Sequence, residues 1–200
     1  MDYSVVLKKI VIIGPESTGK STLCRQLAEH FKTDWVPEYA REYLLKNGTD
    51  YTYDDLLMIA KGQLALEDDY TKRAMGNGQL AISNEQWATG KSKFSALNSP
   101  LFIDTDMYVM KVWCEFVFGK CHDFILKEIA KRKYDLYLLC NTDLPWVKDE
   151  LREYPDVETR EKLFLIYKDI LINQNTPWVE ISGDYAKRLE TATEAVEGLL

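Results

Sequence analysis

The sequence has no basic excess and no long apolar run, and each absence excludes a class of partner. Across 200 residues, 25 lysines and arginines stand against 32 aspartates and glutamates, which gives a formal net charge of −7. Dedicated nucleic-acid binders usually carry the opposite balance, so we expect no nucleic-acid partner. A membrane-spanning helix needs about 18 or more consecutive apolar residues. No run in the sequence approaches that length, so we expect no membrane partner.

Cysteine and histidine are too few and too scattered to form a structural zinc site or a disulfide framework. The sequence has four cysteines and two histidines, and no two cysteines form a C-x-x-C pair. The first residues, Met1-Asp2-Tyr3-Ser4, do not have the charged and then apolar character of a secretory signal. Together these features favour a reducing, cytoplasmic location.

Short β-branched runs alternate with amphipathic stretches along the chain. The predicted strands are 8–13, 34–36, 101–104, 134–140 and 178–181. The predicted helices are 21–31, 38–45, 54–75, 105–118, 122–133, 161–173 and 185–200. This alternation is typical of an α/β fold, so we expect a five-stranded, mostly parallel sheet with helices on both faces.

The length suits a single domain over 1–200, with two segments that depart from the regular pattern. Residues 76–99 are rich in Gly, Ser, Asn and Lys, with Trp87 and Phe94 isolated among them. This is too long for an ordinary connection, so we expect an insertion there, as a hairpin or a flap. The charged, irregular segment at about 143–160 is expected to form a lid.

Residues 14–21, G-P-E-S-T-G-K-S, match the phosphate-loop pattern G-x-x-x-x-G-K-[ST] in full. The match follows a predicted strand and opens a predicted helix, which is the context that the chemistry requires. Glycines allow a tight turn that directs backbone N–H groups at phosphate oxygens. Lys20 would reach the β- and γ-phosphates, and the Ser21 hydroxyl would ligate Mg²⁺. The predicted nucleotide-binding residues are Gly14, Glu16, Ser17, Thr18, Gly19, Lys20, Ser21 and Thr22.

Among phosphate-loop proteins, the remaining motifs favour a small-molecule kinase. A regulatory GTPase needs N-K-x-D after the fourth strand, whereas residues 141–144 read N-T-D-L. An oligomeric motor ATPase usually needs an appended domain, for which 200 residues leave no room. A kinase needs only a phosphate loop, a metal-organising acid, a base for the acceptor hydroxyl and mobile arginines.

Three carboxylates lie at or just after the carboxyl ends of predicted strands. In a parallel sheet these ends face the ligand crevice. Glu38 follows the second strand and would hold an acceptor hydroxyl or take its proton, or else favour its helix dipole. Asp104 ends the third strand, beside the expected Mg²⁺. Asp106 would bind the hydroxyls of the acceptor, or cap the following helix.

Three arginines complete the set of candidate residues. Arg41 lies on the helix face of Glu38, where it would bind acceptor or phosphate, or pair with Glu38 itself. Arg152 and Arg160 lie in the predicted lid. Arginines in such segments stabilise spread phosphate charge when the lid closes, and the alternative for both is a solvated helix charge.

Four motifs together resemble the ribosylnicotinamide kinase domain of NadR-type proteins, over nearly the whole chain apart from 76–99. They read G-P-E-S-T-G-K-S, P-E-Y-A-R-E-Y, F-I-D-T-D and N-T-D-L-P-W-V-K-D-E-L-R-E. The resemblance implies a P-loop NTPase three-layer sandwich, similar to nucleoside kinases, that uses ATP and Mg²⁺ to phosphorylate the 5′-hydroxyl of nicotinamide riboside to nicotinamide mononucleotide. Carried over by position, the implied catalytic residues are Lys20, Glu38, Asp104, Arg152 and Arg160. The implied acceptor residues are Glu38, Tyr39, Arg41, Asp104 and Asp106, and the implied metal ligands are Ser21 and Asp104.

The sequence departs from the family pattern on the acceptor side. Pro37 stands where the family has an aromatic residue that stacks on the pyridine ring, and Trp35 lies two residues earlier on the same strand face. NadR proteins usually add an adenylyltransferase domain before the kinase, so the 200 residues here predict a stand-alone kinase domain. Two alternatives therefore stay open: a kinase for another nucleoside, and a regulatory P-loop NTPase without a small-molecule acceptor.

Overall fold

Five parallel strands form one sheet in the computed structural model of the chain, which describes residues 7–83 and 100–200. The strands are β1 (Lys8–Ile13), β2 (Trp35–Val36), β3 (Pro100–Asp104), β4 (Leu136–Cys140) and β5 (Trp178–Ile181). Their order is β2-β3-β1-β4-β5, and all four neighbouring pairs are parallel. The carboxyl ends of β1, β2 and β3 therefore meet at one edge of the sheet.

Helices cover both faces of this sheet, which confirms the predicted three-layer α/β fold. They are α1 (Lys20–His30), α2 (Tyr39–Asn47), α3 (Tyr53–Ser83), α4 (Met107–Phe118), α5 (Asp123–Lys131), α6 (Val157–Ile172) and α7 (Tyr185–Glu197). One face packs on α1 and α7, and the other on α4 and α6. A third cluster lies among α2, α3, α4 and α5.

The central strand β1 is buried on both faces. Ile10 and Ile12 pack toward α1 and α7, whereas Val11 and Ile13 pack toward α4 and α6. All four are 0% exposed. Burying each such side chain stabilises the fold by about 1.5–3 kcal/mol, so the end of β1 is a rigid support for the loop that follows it.

Two predicted helix boundaries are wrong by at least one helical turn. Helix α3 does not break at Gly76 but continues to Ser83. A glycine costs a helix only about 1 kcal/mol relative to alanine, so Gly76 and Gly78 weaken α3 without ending it. Helix α6 begins at Val157 rather than at residue 161, because the Asp156 carboxylate caps it by accepting a hydrogen bond from Thr159 N at 2.7 Å. The rest of the predicted insertion, including Trp87 and Phe94, lies outside the described residues.

Candidate active site

The loop between β1 and α1 has the backbone that phosphate binding needs. Gly14, Ser17 and Gly19 have φ angles of 141°, 58° and 80°. Gly14 lies so close to β4 that a Cβ atom there would come within 2.6 Å of the carbonyl oxygen of Cys140. Only glycine combines that φ with that approach. The turn leads into the N-terminus of α1 at Lys20, where free backbone N–H groups and the helix dipole favour an anion.

The side chain of Lys20 is held inside the loop. Its Nζ donates a hydrogen bond to the carbonyl oxygen of Pro15 at 2.8 Å, and the hydroxyl of Thr18 donates to the same oxygen at 2.8 Å. The ammonium group therefore lies beside the turn rather than in open solvent, and an arriving phosphate would offer it a stronger, charged acceptor.

Asp104 presents a buried carboxylate without a hydrogen-bond partner at the end of β3. Its residue lies opposite Ile12 of β1, is 0% exposed, and neither carboxylate oxygen has a partner among the described residues. Burial raises the pKa of Asp104 well above its usual range, and the charge of Glu38 raises it further, whereas the charge of Lys20 lowers it. A buried carboxylate of this kind is costly unless a cation compensates it. The arrangement therefore fits a bound Mg²⁺.

The ligands that Mg²⁺ prefers agree with this arrangement. Magnesium is usually held by one or two carboxylates together with substrate phosphates and water, rather than by a cage of protein ligands. Within residues 7–83 and 100–200 no group of three or more His, Cys, Asp or Glu side chains could hold a metal alone. Ser21 and Asp104 would thus complete a site with the phosphates of a nucleotide.

Gln63 joins the end of β2 to the end of β3. It is buried on α3, accepts a hydrogen bond from Tyr39 N at 2.7 Å, and donates to the carbonyl oxygens of Pro37 at 3.3 Å and Asp104 at 3.4 Å. These bonds fix the turn that carries Glu38, whose side chain makes no capping bond to α2. Sequence reasoning missed Gln63, because a single glutamine in a helix gives no signal of such a role.

One cavity of about 500 Å³ connects the phosphate loop to a chamber between α2 and α4. All residues of the loop from Gly14 to Thr22 line it, with Glu38, Arg41 and Asp104. The chamber adds the aromatic side chains Trp35, Trp113, Phe116, Tyr154 and Tyr167 and the carboxylates Glu150 and Glu153. Trp113 and Phe116 line the cavity wall, and each also packs against a buried hydrophobic cluster. Helical spacing alone does not distinguish a core face from a cavity face.

The connection between β4 and α6, residues 141–156, crosses the phosphate loop and contacts it through two side chains. The Glu16 carboxylate accepts hydrogen bonds from Tyr154 N at 2.6 Å, Glu153 N at 3.0 Å and Trp146 Nε1 at 3.4 Å. The Ser17 hydroxyl accepts one from Val147 N at 3.0 Å. This β4–α6 connection therefore forms one wall of the cavity.

The predicted arginines take three different places. Arg41 makes two hydrogen bonds with Asp149 of the β4–α6 connection, at 3.0 and 3.2 Å, and no pair with Glu38 is seen among the described contacts. Arg152 lines the cavity, and its guanidinium bonds to the carbonyl oxygen of Val147. Arg160 is only 3% exposed, outside the cavity lining.

The side chains of Arg160 and Asp106 are buried and form hydrogen bonds to other parts of the protein. Arg160 donates to the carbonyl oxygens of Ser17 at 3.5 Å, Thr142 at 3.4 Å and Leu144 at 3.3 Å. The Asp106 carboxylate caps α4 and accepts a hydrogen bond from the Tyr137 hydroxyl at 2.8 Å, and burial raises its pKa to about 7. The lining of the 500 Å³ cavity does not include Arg160, Asp106 or Tyr39.

None of the described helices has both the length and the apolar character to cross a bilayer.

Comparisons with known proteins agree with the fold and the loop. A family model, AAA_28, described as an AAA domain, matches residues 9–188. The trifunctional NAD biosynthesis/regulator protein NadR of Salmonella typhimurium (strain LT2) is 28% identical over 196 residues, which is 97% of this chain and 43% of that protein. The resemblance predicted from the motifs is confirmed, and this chain spans less than half the length of the relative that it matches.

Solved structures show the same fold. A crystal structure of NadR protein in complex with NR superposes with a TM-score of 0.70 at 23% identity, covering 96% of this chain and 49% of that one. Thymidylate kinase from Ehrlichia chaffeensis gives a TM-score of 0.61 at 13% identity, covering 94% of this chain and 98% of that one. At these identities the likeness concerns the fold, a P-loop kinase fold with a parallel sheet.

Proposed function

Because the chain belongs to the AAA domain family AAA_28, we propose that it is an ATP-dependent kinase that phosphorylates the 5′-hydroxyl of nicotinamide riboside. The observation that carries the proposal is the continuous cavity that joins the phosphate loop to a chamber with acidic and aromatic walls. A nucleotide switch needs the phosphate loop but has no use for the chamber. The similarity to NadR, together with the structure of NadR solved with NR, supports the choice of acceptor.

The nucleotide end follows from the loop. Backbone N–H groups at the start of α1 would bind the phosphates of ATP, and Lys20 would exchange the Pro15 carbonyl for a phosphate oxygen. Ser21 and Asp104 would hold Mg²⁺. When bound, Mg²⁺ neutralises charge on the β- and γ-phosphate oxygens. Arg152, whose side chain reaches the cavity, would stabilise charge on the phosphoryl group in transfer.

In the proposed reaction, Glu38 accepts the proton of the acceptor hydroxyl. A bond forms between the acceptor hydroxyl oxygen and the γ-phosphorus, the bond to the β–γ bridging oxygen breaks, and ADP leaves. The hydroxyl proton passes to the Glu38 carboxylate, which lines the cavity and is not used to cap α2. Asp104 is reserved for the metal, and Asp106 is occupied as the cap of α4.

The chamber walls suit a flat cation. Trp35 and Trp113 line the chamber, and Glu150 and Glu153 add negative charge. A positively charged ring is favoured by both kinds of group. The pyridinium of nicotinamide riboside has this chemistry, and these two tryptophans would supply the stacking surface that Pro37 does not.

The test is ADP release by the purified protein with ATP and Mg²⁺ across a panel of nucleosides, with mass analysis of the product. We expect nicotinamide riboside to stimulate release strongly and to gain one phosphate, and Glu38→Gln to remove the stimulation. Stimulation by an uncharged nucleoside instead would keep the kinase chemistry and reject this acceptor. A panel without any stimulation, despite tight nucleotide binding, would reject the kinase and favour the regulatory NTPase.

A further inference from the structure

Glu16 places a negative charge in a phosphate-binding turn, where that charge repels the phosphates that the turn would bind. The structure accounts for its carboxylate without the nucleotide. Both oxygens point away from the loop toward the β4–α6 connection, where they accept the backbone N–H groups of Glu153 and Tyr154 and the indole N–H of Trp146. Bonds from N–H groups to a carboxylate are charge-assisted and stronger than neutral ones.

The amides that Glu16 holds lie next to a predicted catalytic arginine. Arg152 directly precedes Glu153 and Tyr154, and consecutive Cα atoms are only about 3.8 Å apart. Fixing two successive N–H groups therefore fixes the peptide from which the Arg152 side chain leaves. The guanidinium is further restrained by its bond to the carbonyl oxygen of Val147. The amide of Val147 is itself held by the Ser17 hydroxyl, the next residue of the phosphate loop.

We propose that Glu16 is a positioning residue that holds the β4–α6 connection on the phosphate loop and so sets the place of Arg152 in the cavity. The inference rests on the proposed kinase function, because it explains how the arginine is brought to the phosphoryl group. The backbone of Glu16 still belongs to the phosphate loop, whereas its side chain serves the opposite wall. The phosphate loop thus supplies, through the Glu16 side chain, the contact that holds the β4–α6 connection against it.

The first test needs no substrate. Amide hydrogen exchange is measured at single residues in the wild type and in Glu16→Ala. We expect the amides of Glu153 and Tyr154 to lose protection in the variant. The amide of Thr159, which is bonded to Asp156 at 2.7 Å, should stay protected in both proteins and serves as the internal control. Unchanged protection of Glu153 and Tyr154 would overturn the proposal.

The second test asks whether Glu16 acts through Arg152. Glu16→Ala, Arg152→Ala and the double variant are compared by kcat and by product formed per ADP released. We expect Glu16→Ala to lower kcat about 10- to 100-fold, the scale of lost hydrogen bonds to a charged group. It should also release more ADP per product, since a displaced connection admits water. The double variant should be no slower than Arg152→Ala alone.

Two further variants serve as controls for the effect of Glu16→Ala. Glu16→Gln retains an acceptor oxygen but replaces the other by a donor, so its kcat should lie between the wild type and Glu16→Ala. Glu158→Ala removes an exposed glutamate of α6 and should change neither exchange nor kcat. Effects of Glu16→Ala and Arg152→Ala that multiply in the double variant would show that the two residues act independently, and would overturn the proposal.

Failure of this proposal and failure of the proposed function are distinguishable. If no nucleoside is phosphorylated but the exchange result is as expected, the contact stands and the kinase assignment falls. If nicotinamide riboside is phosphorylated and Glu16→Ala leaves exchange and kcat unchanged, the kinase assignment stands and the role of Glu16 falls.

Discussion

The ring of Tyr39 occupies the space that a side chain on Gly62 would need. A Cβ atom at residue 62 would lie 2.1 Å from Cε1 of Tyr39, far inside contact distance. Helices α2 and α3 therefore approach each other through a glycine, although alanine would be the better helix former by about 1 kcal/mol. The close packing also supports the turn that carries Glu38, because the next residue of α3, Gln63, bonds to Tyr39 N.

We predict that Gly62→Ala destabilises the protein by about 1–3 kcal/mol, the usual cost of overpacking, despite its better helix propensity. Urea unfolding measures the change. Gly198→Ala is the matched control, because Gly198 has helical φ and ψ and its Cβ would meet only ordinary contacts at 3.5 Å or more. That variant should be neutral or slightly more stable. Equal stability of Gly62→Ala and wild type would mean that Tyr39 moves aside without cost.

Lys20→Ala should abolish phosphoryl transfer and leave the fold intact. The side chain contacts the loop through one bond to Pro15 O, an oxygen that Thr18 also satisfies. Its loss therefore removes the cation that reaches the phosphates but no part of the core. Lys187→Ala, which removes an exposed lysine of α7, is the control for a general effect of charge. Normal turnover in a folded Lys20→Ala protein would contradict the phosphate-loop assignment.

We predict that the ion pair of Arg41 and Asp149 affects acceptor binding rather than the stability of the fold. The arginine side chain is half exposed, so the pair should contribute no more than about 1 kcal/mol to folding. Because it joins α2 to the β4–α6 connection, we expect Arg41→Ala and Asp149→Ala to raise the KM of the acceptor to a similar extent. Steady-state kinetics of both variants decides. A raised KM in Arg41→Ala alone would place the guanidinium on the acceptor instead.

The phosphate loop was predictable because its determinants are local. A buried strand, two glycines and a lysine fall within residues 8–21, and each has one physical role there. The end of β3 was also predictable, since a short apolar run followed by Asp104 gives a strand and an acid at its carboxyl end. Alternation of β-branched runs and amphipathic helices then leaves few topologies to choose from.

The partners of the site residues were not predictable from the same sequence. Glu16 bonds to Tyr154, 138 residues later, and Arg41 bonds to Asp149, 108 residues later. Periodicity records which face of an element is apolar, but not which distant segment covers it. Trp113 illustrates this limit, because its helical spacing is that of a core residue and the chamber lies on the same side.

Asp55 provides a pH-dependent test of how α3 begins. Its carboxylate accepts hydrogen bonds from the Thr52 hydroxyl at 2.6 Å, the Tyr43 hydroxyl at 2.5 Å and Thr52 N at 2.8 Å, and these lower its pKa to about 2. An unfolded aspartate titrates near 3.9. The folded state thus binds its proton less readily, so the stabilisation is complete above about pH 5 and declines as the pH falls toward 2.

Asp55→Asn should therefore be less stable than wild type at pH 7, and the difference should shrink steadily between about pH 5 and pH 2. Urea unfolding of both proteins at a series of pH values measures it. Asp54→Asn is the matched control, because Asp54 shares the first turn of α3 and hence its interaction with the helix dipole. A loss in Asp55→Asn that equals the loss in Asp54→Asn at every pH would assign the effect to the dipole alone. A larger loss that fades on acidification would identify the hydrogen bonds to Thr52 and Tyr43 as the source of the stability.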